Sequence, residues 1–206
     1  MTKAARSRKR GPRGPYTSGR EAQRAILDSA RRVFAERGYR GGVLRDVAER
    51  AGVSAANIIH HFGSKEALLV TLLEERDMGA SLELRAAPGG FIAGLRDLVR
   101  RNAADREMVR LFTTLGAEAT AADHPAHDFF RARYASVTAE VAGAVETARD
   151  QGVLPSGPPA DRVAAGLIAV MDGIQLQWLL DPGFDMVAAF DAHLTAIGAL
   201  PSTDGA

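Results

Sequence analysis

Two constellations in this 206-residue chain have the side chains and spacing to do chemistry. The first is Ala51-Gly52-Val53-Ser54, set between two short amphipathic patterns. It reads as a helix end, a tight glycine turn and a serine able to accept a hydrogen bond from the free N–H groups of the next helix. That is the grammar of a helix-turn-helix, whose chemistry is hydrogen bonding and apolar contact with the edges of duplex DNA. The second is Asp123, His124, His127 and Asp128. Histidines three apart on a helix can share a metal. The same residues also fit a helix start at His124-Pro125, where acids oppose the positive end of the helix. No nucleophile elbow, zinc-protease helix motif or phosphate loop is present. The chain is therefore expected not to be an enzyme and to need no cofactor and no metal, with a His/Asp metallohydrolase as the remote alternative.

Charge supports the first constellation. The formal net charge is only +1, yet the signs are segregated. Residues 1–65 hold 15 Lys and Arg against 5 acids, and residues 66–206 hold 11 against 20. A cationic front on an anionic body suits a polyanion-binding module joined to something else. Within residues 1–19, Arg8, Lys9, Arg10 and Arg13 alternate with glycines and prolines and no apolar period appears, so a disordered basic arm is expected. Two readings of the arm stay open: an extended chain entering a minor groove, or a polybasic tail that adds phosphate attraction. Both make affinity fall steeply with salt.

Composition bounds the rest. Apolar residues make up 46% and charged residues 25%, enough for a sizeable core. There is no cysteine, which excludes disulfides, thiolate metal sites and cysteine nucleophiles. The longest apolar run, Val163 to Leu180, is interrupted by Asp172, Gln175 and Gln177, so no membrane span and a cytoplasmic location are expected.

The elements that must position these residues all read as helices. Ala22, Ile26, Ala30, Val33 and Phe34 make one stripe over about 20–37, with Gly38 as the residue after its end. Short helices follow over about 44–51 and 55–61, and Ser64 caps a longer fourth. Apolar residues at helical spacing mark five more, around Phe91–Val99, Met108–Leu115, Phe130–Val145, 161–180 and 184–198. The expected fold is all-α with nine helices: an arm (1–19), a helix-turn-helix domain (20–65) and a helical effector and dimer domain (66–206).

Two further sites are expected in the last part. Phe91, Leu95, Met108, Phe112, Tyr134, Met171, Gln175 and Trp178 can give a pocket its apolar walls and few polar groups, or can be ordinary core. Gln175, an amide on a mostly apolar helix, needs a buried partner, a ligand or a dimer mate. Small residues along the eighth helix permit close helix approach. Ala165, Ala169, Gly173, Leu176, Phe190 and Leu194 are the expected dimer contacts, with a thick monomer core as the competing account.

At the helix-turn-helix the sequence resembles the tetracycline-repressor (TetR) family of bacterial regulators. The likeness rests on Gly38-Tyr39, Val47-Ala48, Ala51-Gly52-Val53-Ser54, His61-Phe62 and Ser64-Lys65-Glu66-Ala67-Leu68-Leu69. A looser likeness to one ligand-domain subgroup rests on His124-Pro125, Gly152-Val153-Leu154 and Asp172 to Trp178. The resemblance implies a homodimer paired through helices 8 and 9, bound to double-stranded DNA at a palindromic operator and released by an unknown small-molecule effector. An activator or a ligand-independent DNA binder is the alternative.

By the same resemblance Lys65 meets a phosphate at a helix N-terminus, and His61 either contacts a phosphate or braces the third helix. Ala55, Ala56, Asn57 and His60 form the base-reading face, with Asn57 suited to adenine and the alanines to thymine methyl groups. Arg45 reads guanine or is a solvated ion-pair partner. Two departures stand out. Gly42 and Val43 replace two threonines, the first of which caps the second helix; glycine keeps an acceptable cap without the hydroxyl contacts. Ile59 replaces a tyrosine that bonds to phosphate, so the backbone grip falls on the arm and Lys65.

Overall fold

The computed structural model describes the backbone of residues 15–85 and 90–200 and the side chains of 19–78, 90 and 92–200. Among these residues it has nine helices and no strand: α1 (Pro15–Gly41), α2 (Leu44–Ala51), α3 (Ala55–Phe62), α4 (Lys65–Arg85), α5 (Gly90–Ala104), α6 (Arg106–Glu118), α7 (His127–Asp150), α8 (Ala160–Leu180) and α9 (Met186–Ala196). Arg8, Lys9, Arg10 and Arg13 lie outside the described residues.

The helices form where the apolar period runs at 3.6 residues. Ile26, Ala30, Val33 and Phe34 are all interior on α1. Gly38 breaks this helix with a positive φ of 66°, and the chain then runs on to Gly41. The first helix thus begins earlier than the stripe alone indicated, while its regular part stops at Gly38; Pro15 at its start has the φ that a first helical residue needs. The seventh helix begins at His127, not at His124-Pro125. The residue before a proline is steered away from the helical region. His124 instead sits buried in the turn that precedes α7.

Two cores result. The first gathers Ile26, Phe34, Val47, Ile58, Leu68 and Leu73 from α1 to α4, and also Leu111 and Leu115 of α6 and Phe130 of α7. α1 against α6 is the most extensive helix pairing in the chain. The second core joins Leu95 and Val99 of α5, Val141 and Val145 of α7, Leu167 and Ile174 of α8, and Phe190 and Leu194 of α9. Phe190 and Leu194 are 0% exposed in a single chain. They are core residues, which corrects the expectation that they meet a second copy: both face α5 and α8. A bidentate pair, Arg96 Nε and Nη2 to Asp191 at 2.7 Å each, fastens α5 to α9.

α8 is long and apolar enough, by length and composition, to cross a membrane, contrary to the sequence expectation. Asp172, Gln175 and Gln177 break the run of letters without lowering its average enough. Here α8 packs on α6, α7 and α9, and the Arg106 guanidinium donates to its last carbonyls, Trp178 (3.1 Å) and Leu179 (2.6 Å).

Gly38 and Gly52 test the backbone argument. Both have positive φ, but Gly52 is α-left-handed (ψ 31°) while Gly38 sits at ψ −177°, a region essentially reserved for glycine. A Cβ on Gly38 would also fall 2.0 Å from Glu118 Oε1, whereas one on Gly52 meets open space. Gly52→Ala should cost only the left-handed strain, about 1–2 kcal/mol. Gly38→Ala should cost more, because its backbone conformation is closed to residues with a Cβ and because Glu118 must also leave its partners. Urea unfolding of the two variants reads the difference, and equal losses would remove the Glu118 contact from the account.

Candidate nucleic-acid interface and effector cavity

The turn between α2 and α3 is closed by local bonds. The Val53 N–H donates to the Ala48 carbonyl (3.0 Å) and the Gly52 N–H to Glu49 (3.3 Å), an arrangement that needs the left-handed Gly52. Ser54 Oγ then accepts the Asn57 N–H at 3.1 Å, capping α3. Ile58 anchors α3 in the core. Ala55, Ala56, Ile59 and His60 face outward, so the helix is not sealed beneath its neighbours.

The candidate DNA residues divide. Arg45 is exposed and has no ion pair among the described residues, which leaves its guanidinium available. Asn57 is half-buried, and its Oδ1 is covered without a partner. A bidentate pairing with adenine needs both ends of the amide, so this side chain must turn outward first. His61 is half-buried between the rings of His60 (5.5 Å) and Phe62 (6.4 Å). Gly42 is buried, and Val43, not Gly42, is the N-cap of α2, with no side-chain bond. This corrects the expectation of a glycine cap at a DNA-contacting position. The reason is packing: a Cβ on Gly42 would lie 2.8 Å from the Phe34 ring.

Lys65 opens α4, next to a junction that the sequence did not reveal. Its Nζ donates to the Tyr39 carbonyl at 2.6 Å and lies 4.1 Å from the centre of the Tyr39 ring. Burial pulls the ammonium below its ordinary pKa, opposed by Glu66 and Glu118. The Tyr39 hydroxyl donates to Glu66 at 2.6 Å. Burial and that carboxylate raise the phenol, while the phenol's hydrogen bond holds Glu66 below the usual range. From α6, Glu118 Oε2 accepts the Tyr39 N–H at 2.8 Å and lies 3.5 Å from His124 Nε2. His124 Nδ1 accepts the Ala126 N–H, and His127 Nδ1 lies 2.9 Å from the Ala119 carbonyl. Each histidine is thus spent on the α6–α7 turn, and no metal-capable group of three exists among the described residues.

A cavity of about 370 Å³ lies among α4 to α8. Leu95, Met108, Phe112, Tyr134, Met171 and Gln175 are among its lining residues. The side chain of Phe91 is outside the description. Trp178 does not line the cavity; its ring stacks under Arg106 at 5.1 Å, which corrects that expectation. The sequence missed the charged wall: Arg76, Asp77, Arg133 and Asp172. Arg133 Nε pairs with Asp77 at 2.7 Å and its guanidinium lies over Phe112. The Tyr134 hydroxyl donates to Asp172 at 2.7 Å. Burial and that carboxylate push the phenol up to about 12, and burial raises Asp172. One signal was available: Asp172 is a charge inside an apolar helix.

Ala165, Ala169, Leu176 and Leu180 are exposed on one stripe of α8, with Asp172 in its midst and Gly173 beside it. Leu176 is 49% and Leu180 79% exposed.

Residues 26–72 match the model for bacterial regulatory proteins of the tetR family, and residues 92–199 match the BetI-type transcriptional repressor C-terminal model. The chain is 31% identical over 188 residues to the regulator BetI of Burkholderia thailandensis, covering 85% of this chain and 91% of that one. It is 32% identical over 120 residues to the repressor KstR2 of Rhodococcus jostii, covering 56% of this chain and 52% of that one, about half its length. A crystal structure of a regulator from Saccharomonospora viridis in complex with choline has 27% identity and a TM-score of 0.71, covering 86% of this chain and 95% of that one.

The raised Asp172 carboxyl gives a signed pH prediction. An acid whose folded pKa lies above its unfolded value favours folding at low pH, and that contribution is lost as pH rises through the folded pKa. Asp172→Asn should therefore raise the thermal midpoint at pH 7, and the gain should shrink towards pH 3. A lower midpoint at pH 7 would mean that the Tyr134 bond to the charged carboxylate outweighs its desolvation.

Proposed function

The chain belongs to the tetR family of bacterial regulatory proteins, and on that premise we propose that it is a repressor that binds a palindromic operator as a homodimer and is released by a small molecule. The observation that carries this reading is the outward face of α3, bordered by the unpaired Arg45 and by Lys65 at the start of α4. Regulators of this family bind DNA and small molecules; they are not enzymes.

The second copy pairs through the exposed stripe of α8. Ala165, Ala169 and Gly173 let two helices approach closely, and Leu176 and Leu180 supply the apolar area. From α9 the exposed Ala188, Ala192 and Ala196 join them, in place of the interior Phe190 and Leu194. Pairing then sets the two α3 helices roughly 34 Å apart, one turn of duplex.

The effector occupies the α4–α8 cavity, whose volume suits a small organic molecule. The choline held by the Saccharomonospora viridis regulator supports this use of the fold. Two of the cavity's walls lead to the DNA face. α4 runs from Asp77 back to Lys65, and α6 runs from Phe112 on to Glu118, which holds Tyr39. A ligand that moves either wall disturbs the Lys65–Tyr39 contact.

A mobility shift on the gene's own upstream region tests the reading. Lys65→Ala should weaken binding to every duplex alike and flatten the salt dependence by about one unit of slope. Arg45→Ala should relax the preference at one base pair, at a cost of about 1–3 kcal/mol against the selected base. If neither variant alters binding, the groove assignment fails. A reporter strain lacking the gene separates repression from activation.

A further inference from the structure

We propose that the α3 face selects its site by methyl contact, with Ile59, assisted by Ala55 and Ala56, reading the C5-methyl groups of thymine. This inference rests on the duplex-DNA reading above. Its starting point is an exposed isoleucine. Ile59 is 42% exposed in a module whose core is already complete, since Val47, Ile58, Leu68 and Leu69 are each 0% exposed. The part of Ile59 left in water gains nothing for the fold and offers an apolar contact to whatever covers it.

Helical geometry puts Ala55, Ala56, Ile59 and His60 on one face, and all four are exposed. Three of them carry only apolar side chains. The polar neighbours are largely committed. Ser54 Oγ is spent on the Asn57 backbone N–H, and Asn57 Oδ1 is covered, though without a partner, so that amide reads a base only after turning outward. His60 and, from α2, Arg45 are outward side chains with a hydrogen-bond donor and no ion pair among the described residues. Val43, 43% exposed at the N-cap of α2, adds a second large apolar group to the same module. The occupant that fits is fixed by base chemistry. In the major groove the apolar group that a base edge presents is the thymine methyl. Flanking cations at Arg45 and Lys65 match the phosphates around it.

The test removes the methyl and nothing else. The full chain is used to select duplexes from a random pool, and the selected site is then remade with each thymine of a half-site replaced in turn by deoxyuridine. Pairing and the O4 acceptor are unchanged. At one or more positions, affinity should fall about four-fold per methyl lost, the value of one buried methyl-sized group. Ile59→Ala, an exposed replacement that leaves the core intact, should bind thymine and uracil forms alike at that position. Lys65→Ala should bind all duplexes less tightly and keep the thymine-to-uracil ratio. Equal affinity for thymine and uracil at every position of a selected site overturns the methyl proposal alone. Failure to enrich any duplex overturns the DNA-binding reading and the proposal with it.

Discussion

The packing of α6 against α1 is the contact on which the rest of the molecule depends. A helix-turn-helix of some fifty residues buries too little surface to be rigid by itself. Here α1 packs on α2 and α4, which hold α3, and also on α6, where Leu111 and Leu115 join the same core. The helix-turn-helix therefore shares a core with a helix that also lines the α4–α8 cavity. A shift of α6 cannot be absorbed by a slack linker, because close-packed side chains transmit displacement.

The polar junction at the end of that interface converts packing into geometry. Gly38 ends the regular part of α1, Glu118 takes the Tyr39 amide, and the Tyr39 carbonyl takes Lys65. Three elements distant in sequence meet at one residue, Tyr39, through the two peptide groups that flank it. The cost is visible in the shifted groups: Lys65 is held below its usual pKa by burial, and the Tyr39 phenol is held above its own. Such a joint exchanges one set of hydrogen bonds for another when α6 moves, which suits a switch better than a stripe of apolar contacts would.

The outward face of α3 carries unusual chemistry for a surface proposed to meet a polyanion. Arg45 and Lys65 stand at its margins, while its middle is the methyl groups of Ala55, Ala56 and Ile59. Burial of Gly42 against Phe34 shows that one departure from the threonine pattern serves packing. The exposed Val43 and Ile59 have no such explanation within the chain, so their chemistry points outward.

Much of this was legible in the letters, because the relevant information is local. The 3.6-residue period of Ile26, Ala30, Val33 and Phe34 specifies a helix and its inner face. The Gly52 turn and the Ser54 cap are set by backbone sterics and by one hydrogen bond spanning three residues. Most of the cavity-facing apolar residues were likewise readable, since a cavity wall is an apolar stripe. What the letters did not contain is which stripe meets which. Phe190 and Leu194 have the same period whether α5 or a second copy covers them, and only the tertiary packing places them inside. Asp77 with Arg133, Trp178 under Arg106, and Glu118 with Tyr39 are pairings over 56, 72 and 79 residues. Local propensity determined the helices, the Gly52 turn, the Ser54 cap and the outward face of α3. Only the assembled fold determined the shared core and the charges in the cavity, because a long-range contact is selected by the competition of all faces at once and leaves no period in the chain.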